Sequence, residues 1–185
     1  KDVYWLLAQS HSALKQADKA TQYYRLILRD FPQSEVAADA MYRLAHHLQA
    51  RGENKEASGY FLSLVDSFPE HELAPQSLFA SAYALSREGM RAEAARDWAR
   101  LVSAYPEHSL VEEALYQKAM SEMRLERYED AAASLDALLS RFRKSGFLAD
   151  AQYWRGMLLN RTEKYREAET AFRESLAASP RPELE

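Results

Sequence analysis

Cysteine is absent from the 185-residue chain, which excludes disulfides, cysteine-zinc sites and thiol catalysis and leaves the redox compartment open. No apolar run approaches the ~20 residues that a membrane-spanning helix needs. Histidine is sparse: His11, His46, His47, His71 and His108 never stand three or four positions apart, so no helix face offers a two-histidine metal site. His46 and His47 point about 100° apart on a helix, and the expectation is a solvated surface pair. His71 and His108 share a repeat phase beside a turn and read as part of the repeat. No G-x-G-x-x-G, Walker loop, G-x-S-x-G or H-E-x-x-H motif occurs. Carboxylates on solvated helices keep ordinary pKa values and do no acid-base work. The sequence therefore predicts no catalytic residue, metal or cofactor. With a net charge of −4 and both signs interspersed, no global field draws nucleic acid or an anionic membrane. No secretory leader pattern opens the chain. Lys1 and the closing Leu184-Glu185 suggest a segment of a longer protein with a cloning remnant in 181–185.

Only five glycines and six prolines punctuate the chain, and they do so periodically. Phe31-Pro32, Phe68-Pro69, Tyr105-Pro106, Phe142-Arg143 and Ser179-Pro180 recur every 37 residues. Three further columns keep the same phase. One is Ala20, Ala57, Ala94, Ala131 and Ala168; another is Tyr24, Phe61, Trp98, Leu135 and Phe172; the third is Ala8, Ala45, Ala82, Ala119 and Gly156. Self-similarity at a period of ~20–50 residues is the signature of a repeat architecture. Within a cycle the apolar spacing is 3 to 4, as in Leu44, Ala45, Leu48 and then Ala57, Phe61, Leu64, Val65, so each cycle holds two amphipathic helices. Proline after the second helix stops it, and Gly52 and Gly89 share a phase suited to a left-handed C-terminal residue. Ser34 and Ser145 share a phase suited to capping the following helix. The cycles read as 1–32, 33–69, 70–106, 107–143 and 144–180, in a single solenoid over 1–185 whose first cycle is truncated.

These residues resemble the tetratricopeptide repeat. The small residue of the first helix, the alanine 12 positions later, the bulky residue 4 further on and the proline 8 beyond reproduce that family's spacing. The resemblance implies an all-α, right-handed solenoid of antiparallel helix pairs. The usual repeat is ~34 residues; the extra three here fall after the proline, in stretches such as Glu70-His71-Glu72-Leu73-Ala74, and are expected to lengthen the next helix. The longer form resembles that of bacterial envelope proteins, such as outer-membrane assembly lipoproteins and periplasmic cell-division coordinators, and implies a periplasmic or outer-membrane-associated location, with a cytoplasmic one as the alternative. Arg143 in place of proline, and Ser81, Lys118 and Arg155 in place of leucine, depart from the pattern and put the local turn and packing in question.

In such repeats the first helix lines the concave surface, so its columns are the candidate site. One is aromatic in every cycle: Trp5, Tyr42, Phe79, Tyr116 and Tyr153. Three residues earlier stands a column that is acidic in all but one cycle, Asp2, Asp39, Gln76, Glu113 and Asp150. Eight residues after the aromatic comes one that turns basic: Ala13, Ala50, Arg87, Arg124 and Arg161. A softer column holds Gln9, His46, Tyr83, Met120 and Met157. An aromatic stripe between acidic and basic edges suits a peptide or helix of a partner protein. Competing readings are inter-repeat packing for the aromatics and the helix dipole for the charges. The expected role is a non-catalytic protein-protein interaction scaffold. Its alternatives are an assembly module acting through the solenoid ends or by self-association, and glycan binding.

Overall fold

The computed structural model describes residues 1–179; Pro180 and the tail 181–185 lie outside the described residues. Ten helices and no strand are present among them: α1 (Asp2–Ala13), α2 (Ala17–Asp30), α3 (Glu35–Ala50), α4 (Asn54–Ser67), α5 (Ala74–Arg87), α6 (Arg91–Ala104), α7 (Val111–Arg124), α8 (Tyr128–Arg141), α9 (Leu148–Arg161) and α10 (Tyr165–Ala178). One first helix and one second helix fall in each 37-residue cycle. The chain forms two compact units, Lys1–Leu101 and Val102–Glu185.

The turn from first to second helix is built the same way five times. The residue at the glycine phase is left-handed throughout: Lys15 (φ 57°), Gly52 (80°), Gly89 (75°), Glu126 (59°) and Glu163 (61°). The next amide then reaches back five residues, as in Glu53 N–H to Leu48 O at 2.9 Å and Arg127 N–H to Glu122 O at 2.9 Å. Together with the three-residue bond from the left-handed residue itself, such as Gly52 N–H to Gln49 O at 3.0 Å, this is a Schellman closure.

The join from second to first helix corrects one expectation. The extra residues do not extend α5, α7 or α9, each of which is 14 residues long; they form a turn. The His71 Nδ1 accepts from Leu73 N–H at 3.2 Å, His108 Nδ1 from Leu110 N–H at 3.2 Å, and Ser145 Oγ from Phe147 N–H at 2.9 Å. These side chains divert the backbone from helical bonding. Ser34, at the same phase, makes no such bond, and α3 alone begins early, reaching 16 residues. The capping expectation is corrected as well: Ser34 occupies the N-cap of α3 without a side-chain bond, and Ser145 holds the turn and donates to Glu112 at 2.6 Å. Arg143 leaves the turn intact, with Ser145 N–H to Phe142 O at 3.0 Å matching His71 N–H to Phe68 O at 3.0 Å.

The first unit centres on Ala8, Ala20, Tyr24, Ile27, Leu44, Ala45, Leu48, Ala57 and Phe61, all essentially solvent-free. In the second, Val111, Ala119, Ala131, Leu135 and Leu138 play the same part. The two alanine columns are buried because helices crossing at about 8–10 Å admit little more than a methyl group.

Candidate functional site

In the first unit, each aromatic of the first helices leans on a ring of its own second helix. Trp5 lies 5.9 Å from Tyr24, Tyr42 5.7 Å from Phe61, and Phe79 4.9 Å from Trp98, at steep interplanar angles. Tyr24, Phe61 and Trp98 are buried, and the three outer rings are half-buried over them. The aromatic column is thus both packing and surface, with an edge of each ring in contact with the core. Burial raises the pKa of the Tyr42 phenol.

The histidine pair is not solvated as expected. His46 fits between Tyr42 at 4.4 Å and Phe61 at 5.1 Å, and burial lowers its pKa, favouring the neutral imidazole. His47 sits edge-on to Tyr24 at 5.8 Å, with Nε2 3.4 Å from Ser12 Oγ. Both are half-buried because rings from other helices cover them. Tyr83, in the softer column, is 48% exposed. Asp2 and Arg87 are exposed, while Asp39 and Gln76 are half-buried. Asp39 stands in the second turn of α3, whose first-turn acid is Glu35, so a dipole role does not cover the whole acidic column. The Arg43 guanidinium lies 5.5 Å from the Trp5 ring.

In the second unit, Tyr116 of α7 stacks on Phe147 at 4.8 Å and 19°. Burial raises its pKa, and a side-chain hydrogen bond with Trp154 of α9 works in the opposite direction. Tyr153 lies 5.2 Å from Trp154 and 6.0 Å from Phe172. Tyr153 is 44% and Met157 41% exposed, with Met120 half-buried on the neighbouring helix. Arg161 is engaged within the chain, its guanidinium 4.2 Å from the Tyr128 ring, whereas Arg124 is exposed at the last residue of α7. Glu113 is half-buried and Asp150 exposed. Phe147 and Trp154 were not legible as site residues. Phe147 shares a phase with Val36, Leu73 and Leu110 and reads as packing; Trp154 shares one with Leu6, Arg43, Ala80 and Gln117, which shows no type at all.

The leucine departures resolve into hydrogen-bonded networks. Ser81 Oγ donates to the buried Asp97 Oδ2 at 2.5 Å and lies 2.8 Å from Ser58 Oγ, joining α4, α5 and α6. Burial raises the Asp97 pKa, opposed by the Ser81 bond and by Arg100 and Arg96. In the second unit Lys118 Nζ donates to Ser134 Oγ at 2.7 Å and pairs with Glu122 Oε1 at 2.6 Å, while Ser134 donates to Glu122 Oε2 at 2.7 Å. Arg155 pairs with Asp136 at 2.6 Å. A buried polar group is costly unless satisfied, and these substitutions arrive with their partners. Among the described residues no group of three or more His, Cys, Asp or Glu is placed to hold a metal ion.

Helix pairs repeated at 37 residues, closed by left-handed turns and stacked through alanine columns, define an all-α solenoid of repeats. The chain belongs to the tetratricopeptide repeat family. Two models of that description match it, one over residues 116–181 and the other over 2–34 and 76–108, together well over half the chain. Solved structures agree in fold. A MamA structure superposes with a TM-score of 0.71 at 13% identity, over 96% of this chain and 90% of that one. YrrB, described as a tetratricopeptide repeat protein with an unusual peptide-binding site, gives 0.69 at 19%, over 96% and 85%. A repeat protein from Parabacteroides merdae gives 0.70 at 20%, over 97% and 67%. No curated protein matches the sequence significantly.

Proposed function

We propose that the protein is a non-catalytic interaction scaffold that binds a peptide or helix of a partner protein along its first helices, the face that in this family is concave. The observation that carries this reading is the aromatic column itself: five rings at one phase, each held by packing yet presented at the surface. Rings fixed in this way lose little side-chain entropy on binding, which favours them as anchors. That YrrB is described as peptide-binding supports the same use of the fold. In the first unit Trp5, Tyr42 and Phe79 form the wall, with His46 and Tyr83 beside it, Asp39 along one edge and Arg87 along the other. In the second unit Tyr116 and Tyr153 form it, with Met120 and Met157 beside it, Glu113 and Asp150 along one edge and Arg124 and Arg161 along the other.

Packing dictates the variants that test this. Tyr42, Phe79 and Tyr116 contact other rings, so alanine there disturbs folding as well as binding. The Tyr83→Ala/Met157→Ala variant removes exposed groups instead. Capture of a partner by wild type and its loss in this variant, with unchanged circular dichroism, is the expected result; equal capture by both overturns the groove reading.

A second reading, assembly through an end surface, is favoured by Val3, Leu6 and Leu14, which are exposed on and just after α1. A sedimentation coefficient that rises with concentration and stops rising in Val3→Ser/Leu6→Ser supports it. The 37-residue cycle and the Phe31-Pro32-Gln33-Ser34 join favour a bacterial envelope setting, which fractionation of the native protein tests.

A further inference from the structure

The two first helices of the second unit carry one string of residue types at one spacing. α7 presents Glu113, Tyr116, Met120 and Arg124; α9 presents Asp150, Tyr153, Met157 and Arg161. No pair of first helices in the first unit repeats it, because Gln76, Gln9 and Ala13 or Ala50 interrupt. On each helix the carboxylate stands three residues before the tyrosine and the methionine four after, so all three lie on one face.

The charges of this string are not equally available. Arg161 is stacked on Tyr128. On the acidic side, Glu112 is used by Ser145, but among the described residues neither Glu113 nor Asp150 has an ion-pair or hydrogen-bond partner. Those carboxylates stand beside a group of rings. Tyr116 is backed by Phe147, and Tyr153 meets Trp154 nearly edge-on at 73° while remaining 44% exposed. A cation is attracted to an aromatic face within about 6 Å of its centroid, and a nearby carboxylate adds to the attraction.

We propose that the α7–α9 face selects partner segments carrying a lysine or arginine next to an apolar side chain. The cation is held by Glu113, Asp150 and the rings of Tyr116, Tyr153 and Trp154, and the apolar neighbour lies against the methionines. This rests on the groove reading above and names the partner chemistry of that groove. A dipole role alone would require only acids near the helix start; it would not require the tyrosine and methionine that follow each of them.

The test is binding of the full chain to an array of defined nine-residue peptides, some with basic-apolar pairs, some acidic-apolar and some neutral-apolar. Basic-apolar peptides are expected to bind preferentially, to lose about fivefold to tenfold in affinity with Glu113→Gln/Asp150→Asn, and to weaken as salt rises. Equal binding of the three classes, unaffected by the charge-neutral variant but lost in Tyr153→Ala/Met157→Ala, overturns the cation selectivity while leaving the groove reading standing. Binding that survives both variants, or binding of no peptide at all, overturns both.

Discussion

Phe172 lies across the backbone of Gly156, so that a Cβ on that glycine would stand 2.7 Å from Phe172 Cε1. The same phase holds Ala8, Ala45, Ala82 and Ala119 in the other cycles, all buried. Opposite Ala119 the corresponding second-helix residue is Leu135. Gly156→Ala gains helix propensity but pushes the ring away and disturbs its contact with Tyr153. A net loss of about 1–3 kcal/mol is expected. Gly156→Ala/Phe172→Leu restores the pairing of the preceding cycle and should recover most of that loss in chemical denaturation.

The left-handed turn position gives a prediction of opposite sign at different cycles. Gly52 and Gly89 adopt positive φ without strain, whereas Glu126 and Glu163 bear a Cβ there. Gly52→Ala is expected to cost about 1–2 kcal/mol. Glu126→Gly should stabilise by about 0.5–1 kcal/mol, the relief of strain exceeding the added unfolded-state entropy. Melting temperatures of the two variants check both directions.

Asp97 gives a pH signature. Its folded pKa is raised by burial, so the folded state holds this proton more tightly than the unfolded state does. The resulting penalty is absent below the ordinary aspartate range and fully present above the raised folded value. Asp97→Asn keeps an acceptor for Ser81 and removes the charge. It should raise the melting temperature at pH 7, by roughly 2–4 °C if about 1 kcal/mol is recovered, and the advantage should shrink as pH falls towards 4. A constant difference across that range would contradict the assignment.

Lys118 and Glu122 occupy the phases of Leu44 and Leu48. Glu122→Ala leaves the part-buried ammonium unpaired and should cost about 3–5 kcal/mol. Lys118→Leu/Glu122→Leu removes both charges and is expected to be neutral or stabilising by about 1–4 kcal/mol. Urea midpoints of the single and double variants decide between these outcomes.

Periodicity made the fold readable because a residue type repeated at one phase reports one environment. The alanine columns, the helix pairs and the glycine turn positions followed directly. Lys15, Glu126 and Glu163 gave no conformational signal of their own, since lysine and glutamate carry no left-handed preference; only their phase with Gly52 betrays them. The post-proline residues look helical in sequence because the side-chain bonds of His71, His108 and Ser145 compete with helical ones in a way that composition does not reveal. At the candidate site, the columns were legible but their degree of cover was not. That cover depends on rings such as Phe61, which packs on both Tyr42 and His46 from a different helix.

The Ser58–Ser81–Asp97 chain of bonds bears on how a repetitive molecule avoids confusing its own parts. Near-identical helix pairs invite slippage, since a pair stacked one place out would still bury its alanines. The phase of Ser58 holds Thr21, Ala95, Ala132 and Glu169 elsewhere, and that of Asp97 holds Tyr23, Tyr60, Ser134 and Ala171. Moved beside any other second helix, Ser81 would lose the serine on that side and face an alanine, a bulkier hydroxyl or a charge. One costly polar seam thus serves as an address label, telling the third helix pair which neighbour is its own.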